Sequence, residues 1–313
     1  MRSFTLALLA MTAPAAPALA QDGPFPVTVR HALGETVVPA APTRIVVLTN
    51  RDTDTLLALG EIPVAINSRY DFESGVGPWA EDALGDAAPV VWHEQGTYNY
   101  EAILAMEPDL IVNVTSGGDP EEHQRLSEIA PTLALPEGAV PWGADTDDAV
   151  RLVAQALGRE ADGEALLAEL DAYYARQRAA YPQFAGLTAN YFDIFGADIY
   201  SYSDAHIVNR ILYATGFSPI ENATNLPAGA GSVIVSAEQV GAYDADVALV
   251  YPFGQTEEEM IATIPTLANW SSVRGGTFYV LEDLALSNSS VFSIPYALDR
   301  LLPEIAAALD ARN

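Results

Sequence analysis

Short apolar runs alternate with longer amphipathic segments along the first half of the chain. The apolar runs suit buried strands and lie at 44–48, 64–66, 90–92, 110–114 and 132–135. The segments that carry apolar residues at helical spacing are 52–59, 100–106 and 121–129. Such alternation predicts an α/β lobe in which helices cover a parallel sheet.

The same alternation returns in the second half of the chain. Strands are predicted at 190–195, 247–250 and 277–281, and helices at 207–215, 236–243 and 293–312. We therefore predict a fold of two α/β lobes with central, mostly parallel sheets. Residues 21–143 form the first lobe in this interpretation and residues 183–313 the second.

The segment between the lobes has a different pattern. Residues 145–157 and 160–180 each read as one continuous helix, and in the second of these Leu166, Leu170 and Tyr173 recur on one face. The composition is not that of a glycine- and serine-rich linker. We therefore predict a rigid helical connector over 144–182, with a long helix as its backbone.

A sequence motif occurs once in each predicted lobe. Glu101 stands eight residues before Asp109, and Glu238 stands eight residues before Asp246. Each glutamate opens a predicted short helix, and each aspartate precedes an apolar strand. Repetition of this kind indicates related lobes with a shared purpose.

The amino terminus resembles a secretory signal. Arg2 is the only charged residue among the first 21, an apolar run follows it, and Ala18-Leu19-Ala20 has the form of a cleavage site. We expect residues 1–20 to be a signal peptide, cleaved near Ala20-Gln21. The chain has no cysteine, so we expect a soluble periplasmic protein without a lipid anchor.

Charge and motifs exclude several classes of function. The formal net charge is −28, which argues against nucleic acid or an anionic membrane as the main partner. The four histidines (His31, His93, His123 and His206) are isolated, and no phosphate-binding loop or nucleophile elbow occurs. We therefore expect neither an enzyme nor a protein with its own metal or cofactor. An exported hydrolase that uses carboxylate acid and base groups is the alternative of another class.

Aromatic and arginine side chains cluster just after the predicted strands. Ligands of open α/β sheets bind outside the carboxyl ends of the strands, so this position makes the group a candidate binding site. The candidates are Arg51, Arg69, Tyr70, Trp92, His93, Tyr98, Ser116, Tyr200, Tyr202, Tyr251 and Phe253.

Six stretches in this order resemble one known family. They are TRIVVL…LLALG at 43–60, YEAILAMEPDLIV at 100–112, LSEIAPTLAL at 126–135, VSAEQVGAYDADVALV at 235–250, NWSSVRGGTFYVL at 269–281 and ALDRLLPEI at 297–305. The layout is similar to the periplasmic substrate-binding proteins of ABC importers for iron-siderophores, haem or vitamin B12. The resemblance implies two lobes joined by one long helix. It also implies a monomer whose tip glutamates, Glu101 and Glu238, dock onto arginines of the membrane permease.

The resemblance also narrows the ligand. Relatives that bind anionic ferric catecholates place arginines in the cleft, whereas the corresponding loops here, 116–118, 204–206 and 252–253, contain none. The expected ligand is therefore a ferric siderophore of hydroxamate or mixed type, with its iron arriving as part of it and Arg51 and Arg69 as donors. Haem, with Tyr98 or His93 on the iron, and vitamin B12 remain the alternatives within this fold.

Overall fold

A computed structural model describes residues 24–226, 230–236 and 238–312, and the predicted signal peptide lies outside these ranges. Within these ranges the chain forms two five-stranded sheets and a separate two-stranded hairpin. The hairpin strands are β1 (Val27–His31) and β2 (Gly34–Val38). The two sheets confirm the predicted α/β fold.

The amino-terminal sheet is entirely parallel. Its strands are β3 (Ile45–Val47), β4 (Ala65–Asn67), β5 (Val90–Trp92), β6 (Leu110–Val112) and β7 (Thr132–Leu133), in the order β5-β4-β3-β6-β7. The helices of this lobe are α1 (Asn50–Ala58), α2 (Glu81–Leu84), α3 (Tyr100–Ala105) and α4 (Pro120–Ser127). Strands β3 and β6 are fully buried, which explains their uninterrupted apolar sequences.

Two helices then connect the sheets, as the sequence predicts. They are α5 (Thr146–Ala156) and α6 (Glu160–Ala180). A Cβ added at Gly163 would lie 2.6 Å from the Ala154 Cβ, so glycine permits the close packing of these two helices. Leu166 packs on the amino-terminal core, while Leu170 and Tyr173 belong to the carboxy-terminal core. Helix α6 is thus shared by both lobes.

The carboxy-terminal sheet mixes parallel and antiparallel strands. Its strands are β8 (Ala189–Phe195), β9 (Asp198–Tyr202), β10 (Ser232–Val235), β11 (Val247–Tyr251) and β12 (Phe278–Val280), in the order β10-β9-β8-β11-β12. Strand β9 is antiparallel to both neighbours, whereas β11 is parallel to β8 and β12. The helices are α7 (Ile207–Ala214), α8 (Glu221–Thr224), α9 (Glu257–Thr263), α10 (Ser271–Gly275), α11 (Ala285–Asn288) and α12 (Ser293–Asp310).

Strand β9 corrects one expectation. Tyr200 and Tyr202 were expected to lie past a strand, but both lie within β9. The reason is a tight hairpin: Gly196 takes a positive φ of 60°, and Phe195 pairs directly with Asp198. The predicted helix over 236–243 is also shorter, since only Val240–Tyr243 forms a 3-10 helix.

The repeated motif has a structural counterpart in each lobe. Thr43, just before β3, donates from its backbone N and its Oγ1 to Asp109 Oδ2, both at 2.8 Å. Thr188, just before β8, donates in the same two ways to Asp246 Oδ2, at 2.8 and 2.9 Å. We call each pair a threonine–aspartate clamp. The sequence repeat therefore reflects equivalent contacts at equivalent ends of the two sheets.

Candidate ligand-binding cleft

A cavity of about 160 Å³ lies between the lobes, at the carboxyl ends of the amino-terminal strands. Helix α1 begins directly after β3 and carries Arg51 to this point, and Arg69 and Tyr70 follow β4. Ser287 and Asn288, the last two residues of α11, close the other side. The nine lining residues are Thr49, Asn50, Arg51, Arg69, Tyr70, Thr115, Trp142, Ser287 and Asn288.

Arg51 fixes the far side of this cavity to the amino-terminal lobe. Its side chain is buried, and it donates from Nε to the Asn288 carbonyl at 2.8 Å and from Nη1 to the Ala144 carbonyl at 2.6 Å. Burial lowers the pKa of the Arg51 guanidinium. Two of its nitrogens therefore bind backbone carbonyls, and the residue also lines the cavity.

Asp54, one turn further along α1, holds the same segment. Its Oδ2 accepts hydrogen bonds from Trp79 Nε1 at 2.7 Å, Asn288 Nδ2 at 2.7 Å and Ser290 Oγ at 2.6 Å. Burial raises the pKa of Asp54 to about 7. We call residues 288–290 the cleft floor, because they join the lobes beneath the cavity.

Arg69 and Trp142 form the wall on the amino-terminal side. The guanidinium carbon of Arg69 lies 4.2 Å from the centroid of the Trp142 ring, a cation–π geometry. Trp142 is 48% exposed and takes a positive φ of 62°, which is unusual for an aromatic residue. An exposed ring held in a strained backbone marks a candidate contact surface.

The wall on the carboxy-terminal side is aromatic and carries a carboxylate. The rings of Tyr191 and His206 stack with centroids 5.3 Å apart, and Tyr202 lies 4.2 Å from His206. The Tyr202 hydroxyl donates to Asp193 Oδ2 at 2.6 Å, and burial raises the pKa of Asp193. Burial, together with nearby Arg51, lowers the pKa of His206 to about 4, so the imidazole is neutral at pH 7.

Two further aromatics stand at the end of β11. Tyr251 and Phe253 meet edge to face with ring centroids 4.8 Å apart, and Phe195 contacts Phe253 at 5.8 Å. Phe253 is 51% exposed with a positive φ of 44°. Each lobe therefore presents one exposed aromatic ring on a strained backbone: Trp142 on one side and Phe253 on the other.

The structure brings together only some of the predicted residues. Arg51, Arg69 and Tyr70 line the inter-lobe cavity. Tyr251 lies near Tyr70 and contacts Phe253, while Tyr202 packs on His206, which lies near Arg51. Tyr200 is half-buried on β9, where it pairs with Ile234 of β10. Ser116 is buried and supports Trp142, whose backbone N donates to its carbonyl at 2.9 Å.

Three predicted residues lie apart from the cavity. Trp92 and Tyr98 pack in a cluster with Ile103 against the amino-terminal sheet, and the Tyr98 hydroxyl donates to Asn113 Oδ1 at 3.3 Å. His93 is exposed, with Nδ1 3.2 Å from the Tyr70 carbonyl. The buried hydroxyl of Tyr98 does not favour a role as haem ligand.

Sequence reasoning missed much of the cavity lining. Thr49, Asn50, Thr115, Ser287 and Asn288 were not among the candidates. A usable signal was the run of four polar residues at 287–290 between Leu286 and Val291, since polar runs inside apolar segments indicate either exposure or a buried network. Trp142 had no comparable signal.

The two repeated glutamates are both exposed. Glu101 lies in the first turn of α3, where the helix dipole favours a carboxylate. Glu238 lies in a turn two residues before the Val240–Tyr243 3-10 helix. Both side chains are therefore available to a partner.

The chemistry of the cleft is that of binding. It offers the guanidinium of Arg69, a carboxylate and several aromatic faces, which suit an organic ligand with oxygen acceptors and apolar edges. Among residues 24–226, 230–236 and 238–312, no three histidine, aspartate or glutamate side chains are grouped to hold a metal ion.

Comparisons with known proteins agree with this architecture. The probable siderophore-binding lipoprotein YfiY of Bacillus subtilis (strain 168) is 34% identical over 146 residues, which is 46% of this chain and 42% of YfiY. The Fe(3+)-citrate-binding protein YfmC of the same organism is 26% identical over 258 residues, 79% of this chain and 75% of YfmC. The ferrichrome complex of PiaA from Streptococcus pneumoniae TIGR4 has the same fold, with a TM-score of 0.79, 24% identity and coverage of 91% and 99%.

A family model supplies the assignment. The model described as periplasmic binding protein matches residues 45–284, a range that runs from β3 of the amino-terminal sheet past β12 of the other and includes the connector helices. The chain therefore belongs to the periplasmic binding protein family.

Proposed function

We propose that this protein is a periplasmic receptor that captures a ferric siderophore between its lobes and delivers it to an ABC importer. The observation that carries the proposal is the Arg69–Trp142 pair, which lines the inter-lobe cavity together with Arg51 and Tyr70. The names of YfiY, YfmC and the ferrichrome complex of PiaA support an iron chelate as the class of ligand. The chain binds this ligand without converting it.

The balance of charge in the cleft supports a hydroxamate or mixed-type siderophore rather than a catecholate. Arg51 already donates to two backbone carbonyls, and Asp193 adds a carboxylate to the opposite wall. Arg69 then remains as the main cation for the ligand. A multiply anionic ligand would be costly to bury with so few cationic partners.

The size of the cavity requires the lobes to move. A volume of about 160 Å³ is below the roughly 300–1,000 Å³ of most small-molecule pockets. The lobes, over 21–143 and 183–313, share α6 within the connector over 144–182. We infer that they separate by a small pivot about this helix and the cleft floor, and close again on the ligand.

The exposed tip glutamates support docking to the permease. Glu101 and Glu238 occupy equivalent places in the repeated motif and are free to meet arginines of a membrane partner. In this proposal one receptor monomer bridges the two halves of the permease.

The proposed location is the periplasm, after cleavage near Ala20-Gln21. YfiY is named a lipoprotein, whereas this chain contains no cysteine to carry a lipid. In the described residues, no helix combines the length and the apolar character needed to cross a membrane.

A fluorescence titration of the purified chain tests the proposal. We expect ferrichrome or ferrioxamine B to quench tryptophan emission at about micromolar concentration or below, and ferric enterobactin to bind about a hundredfold more weakly. Tighter binding of ferric enterobactin would overturn the ligand class. Stoichiometric haem binding with a Soret shift, or cobalamin binding, would instead establish one of the other ligands of this fold.

A further inference from the structure

A second and larger space lies beside the cleft, on the carboxy-terminal lobe. It measures about 900 Å³ and is bounded by residues 251–257 after β11, residues 278–283 around β12, and the outer face of α12. We call it the β12 groove. The apolar part of its lining includes Phe253, Tyr279 and Leu301. Its volume lies in the range of pockets that hold drug-sized organic molecules.

The β12 groove is adjacent to the inter-lobe cavity. Leu286 lines the groove, and the next residue, Ser287, lines the cavity. Tyr251 lines the groove and lies near Tyr70 of the opposite lobe, close enough to influence the pKa of the Tyr70 hydroxyl. The groove and the inter-lobe cavity are therefore neighbours, on either side of residues 286–287.

The lining of the groove carries an excess of negative charge. Its carboxylates are Glu257, Glu282, Asp283 and Glu304, and Arg300 is the one cation among its lining residues, all of which lie in the described ranges. Together these groups give the lining of the groove a net negative formal charge.

The single cation is already engaged. Arg300 pairs with Asp283, donates from Nε to the Tyr296 carbonyl at 3.1 Å, and lies over the Tyr296 ring at 4.1 Å. Within the described residues, no ion pair involves the other three carboxylates of the groove. Glu304 lies close enough to Tyr279 to add to burial in raising the pKa of its hydroxyl.

We propose that the β12 groove binds a cationic, ammonium-bearing arm of the ligand. The inference rests on the proposed function and deepens it, because it makes the preferred siderophore one that carries positive charge outside its iron centre. The methylene chain of such an arm would lie along Leu301, and its ammonium group would reach the carboxylates of Glu282 and Glu304. Tyr279 offers an aromatic face for the same charge.

A pair of probes that differ only in this charge tests the inference. Ferrioxamine B has a free terminal amine, which is protonated at pH 7, and its N-acetylated form is neutral there. We expect the wild-type protein to bind ferrioxamine B about threefold to tenfold more tightly than the acetylated form, as partly exposed ion pairs would give. The preference should shrink in 1 M NaCl, where charges are screened within about 3 Å.

Two variants with equal net charge locate the effect. The E282Q/E304Q variant neutralises two exposed carboxylates of the groove, and the E128Q/E258Q variant neutralises two exposed carboxylates outside it. We expect the preference to fall to about one in E282Q/E304Q and to stay at the wild-type value in E128Q/E258Q.

The possible outcomes distinguish failure of the groove assignment from failure of the proposed receptor function. Equal affinity of the wild-type protein for both probes, or an undiminished preference in E282Q/E304Q, would overturn the groove assignment while the receptor function stands. Binding of neither probe, together with failure to bind ferrichrome, would overturn the hydroxamate receptor itself and the groove assignment with it.

Discussion

The two lobes are alike at one end of their sheets and different at the other. At the amino ends of the strands, each lobe has the same threonine–aspartate clamp, Thr43 with Asp109 and Thr188 with Asp246. At the carboxyl ends, which face the cleft, the amino-terminal lobe presents arginines, whereas the carboxy-terminal lobe presents tyrosines and carboxylates.

This difference indicates that the two ends of the sheets meet different requirements in a two-lobed receptor. A clamp that fixes the strand ends can be the same in both lobes, and so can the tip glutamates if they meet equivalent subunits of a permease. A ligand without internal symmetry needs two dissimilar walls. Under the proposed function, the repeats lie where the partner would be symmetric and are absent where the ligand would not be.

The largest effect is expected where the lobes are alike. Reversing both tip charges, in E101R/E238R, should lower uptake of the ferric siderophore by about a hundredfold or more, since it sets arginine against arginine at the docking surface. Radiolabelled iron uptake measures the loss, and fluorescence titration should show unchanged affinity. The control E128R/E258R reverses two exposed glutamates elsewhere and should retain uptake. Loss of ligand affinity in E101R/E238R would contradict the docking role.

The next largest effect is expected at the amino-terminal wall of the cavity, which carries Arg69. The R69A variant should bind the siderophore about tenfold to a hundredfold more weakly, because hydrogen bonds to a charged donor contribute about 1.5–3 kcal/mol. The R125A variant is the matched control, since Arg125 also lies over an aromatic ring, 5.8 Å from the Tyr100 centroid, but is exposed away from the cavity. Equal losses in both variants would remove Arg69 from the binding site.

The sequence predicted most of the repeated framework. Apolar periodicity predicts all five parallel strands of the first sheet and both connector helices. These elements bury an apolar run or an apolar face, and either pattern is visible in the local sequence. Apolar periodicity did not predict strands β9 and β10. The sequence of β9, Asp-Ile-Tyr-Ser-Tyr, mixes polar and aromatic residues, and its pairing depends on a hairpin turn rather than on a hydrophobic run.

The cleft floor could not be predicted in the same way. Asn288 and Ser290 are buried, and both donate hydrogen bonds to Asp54, which lies more than two hundred positions earlier in the chain. No local pattern reveals a partner so distant in the chain. Arg51, Arg69 and Tyr70 of the cavity lining were among the candidates because they follow predicted strands, whereas the polar floor depends on tertiary contacts alone.

The junction between the lobes should show a pH dependence. Burial raises the pKa of Asp54 from an ordinary 3.8 to about 7, so the folded chain keeps a proton that the unfolded chain releases. The free energy of unfolding should therefore fall as pH rises from about 4 to about 7, by up to about 1.4 kcal/mol per pH unit. Urea unfolding of the wild-type protein and D54N across this range measures it, and the difference between the two curves isolates Asp54.

The wild-type protein must be compared with D54N because the titration of His206 changes the free energy of unfolding in the opposite direction. Its pKa is lowered to about 4, so the unfolded chain takes up a proton first as pH falls, and this contribution to stability grows as pH rises from about 4 to 6.5. The D54N variant keeps the His206 contribution and loses that of Asp54. If the free energies of unfolding of the two proteins change in parallel between pH 4 and 7, Asp54 is not protonated where it contacts the cleft floor.

We expect the smallest effect at the threonine–aspartate clamps. It tests whether the two equivalent clamps contribute equally to the free energy of unfolding. D109A and D246A each remove two bonds from a threonine, and D109A also removes the exposed bond that Arg44 N donates to Asp109 Oδ1 at 2.8 Å. We expect each variant to lose about 1–2 kcal/mol in the free energy of unfolding. We expect the larger loss in D246A, because Thr188 is half-buried whereas Thr43 is exposed to water that can replace the lost acceptor. Both clamps lie at the strand ends opposite the cleft, so siderophore affinity should stay at the wild-type value in both variants. A change in affinity in either would mean that the repeated framework and the differing walls are not separable, and that the clamps help to set the geometry of the cleft.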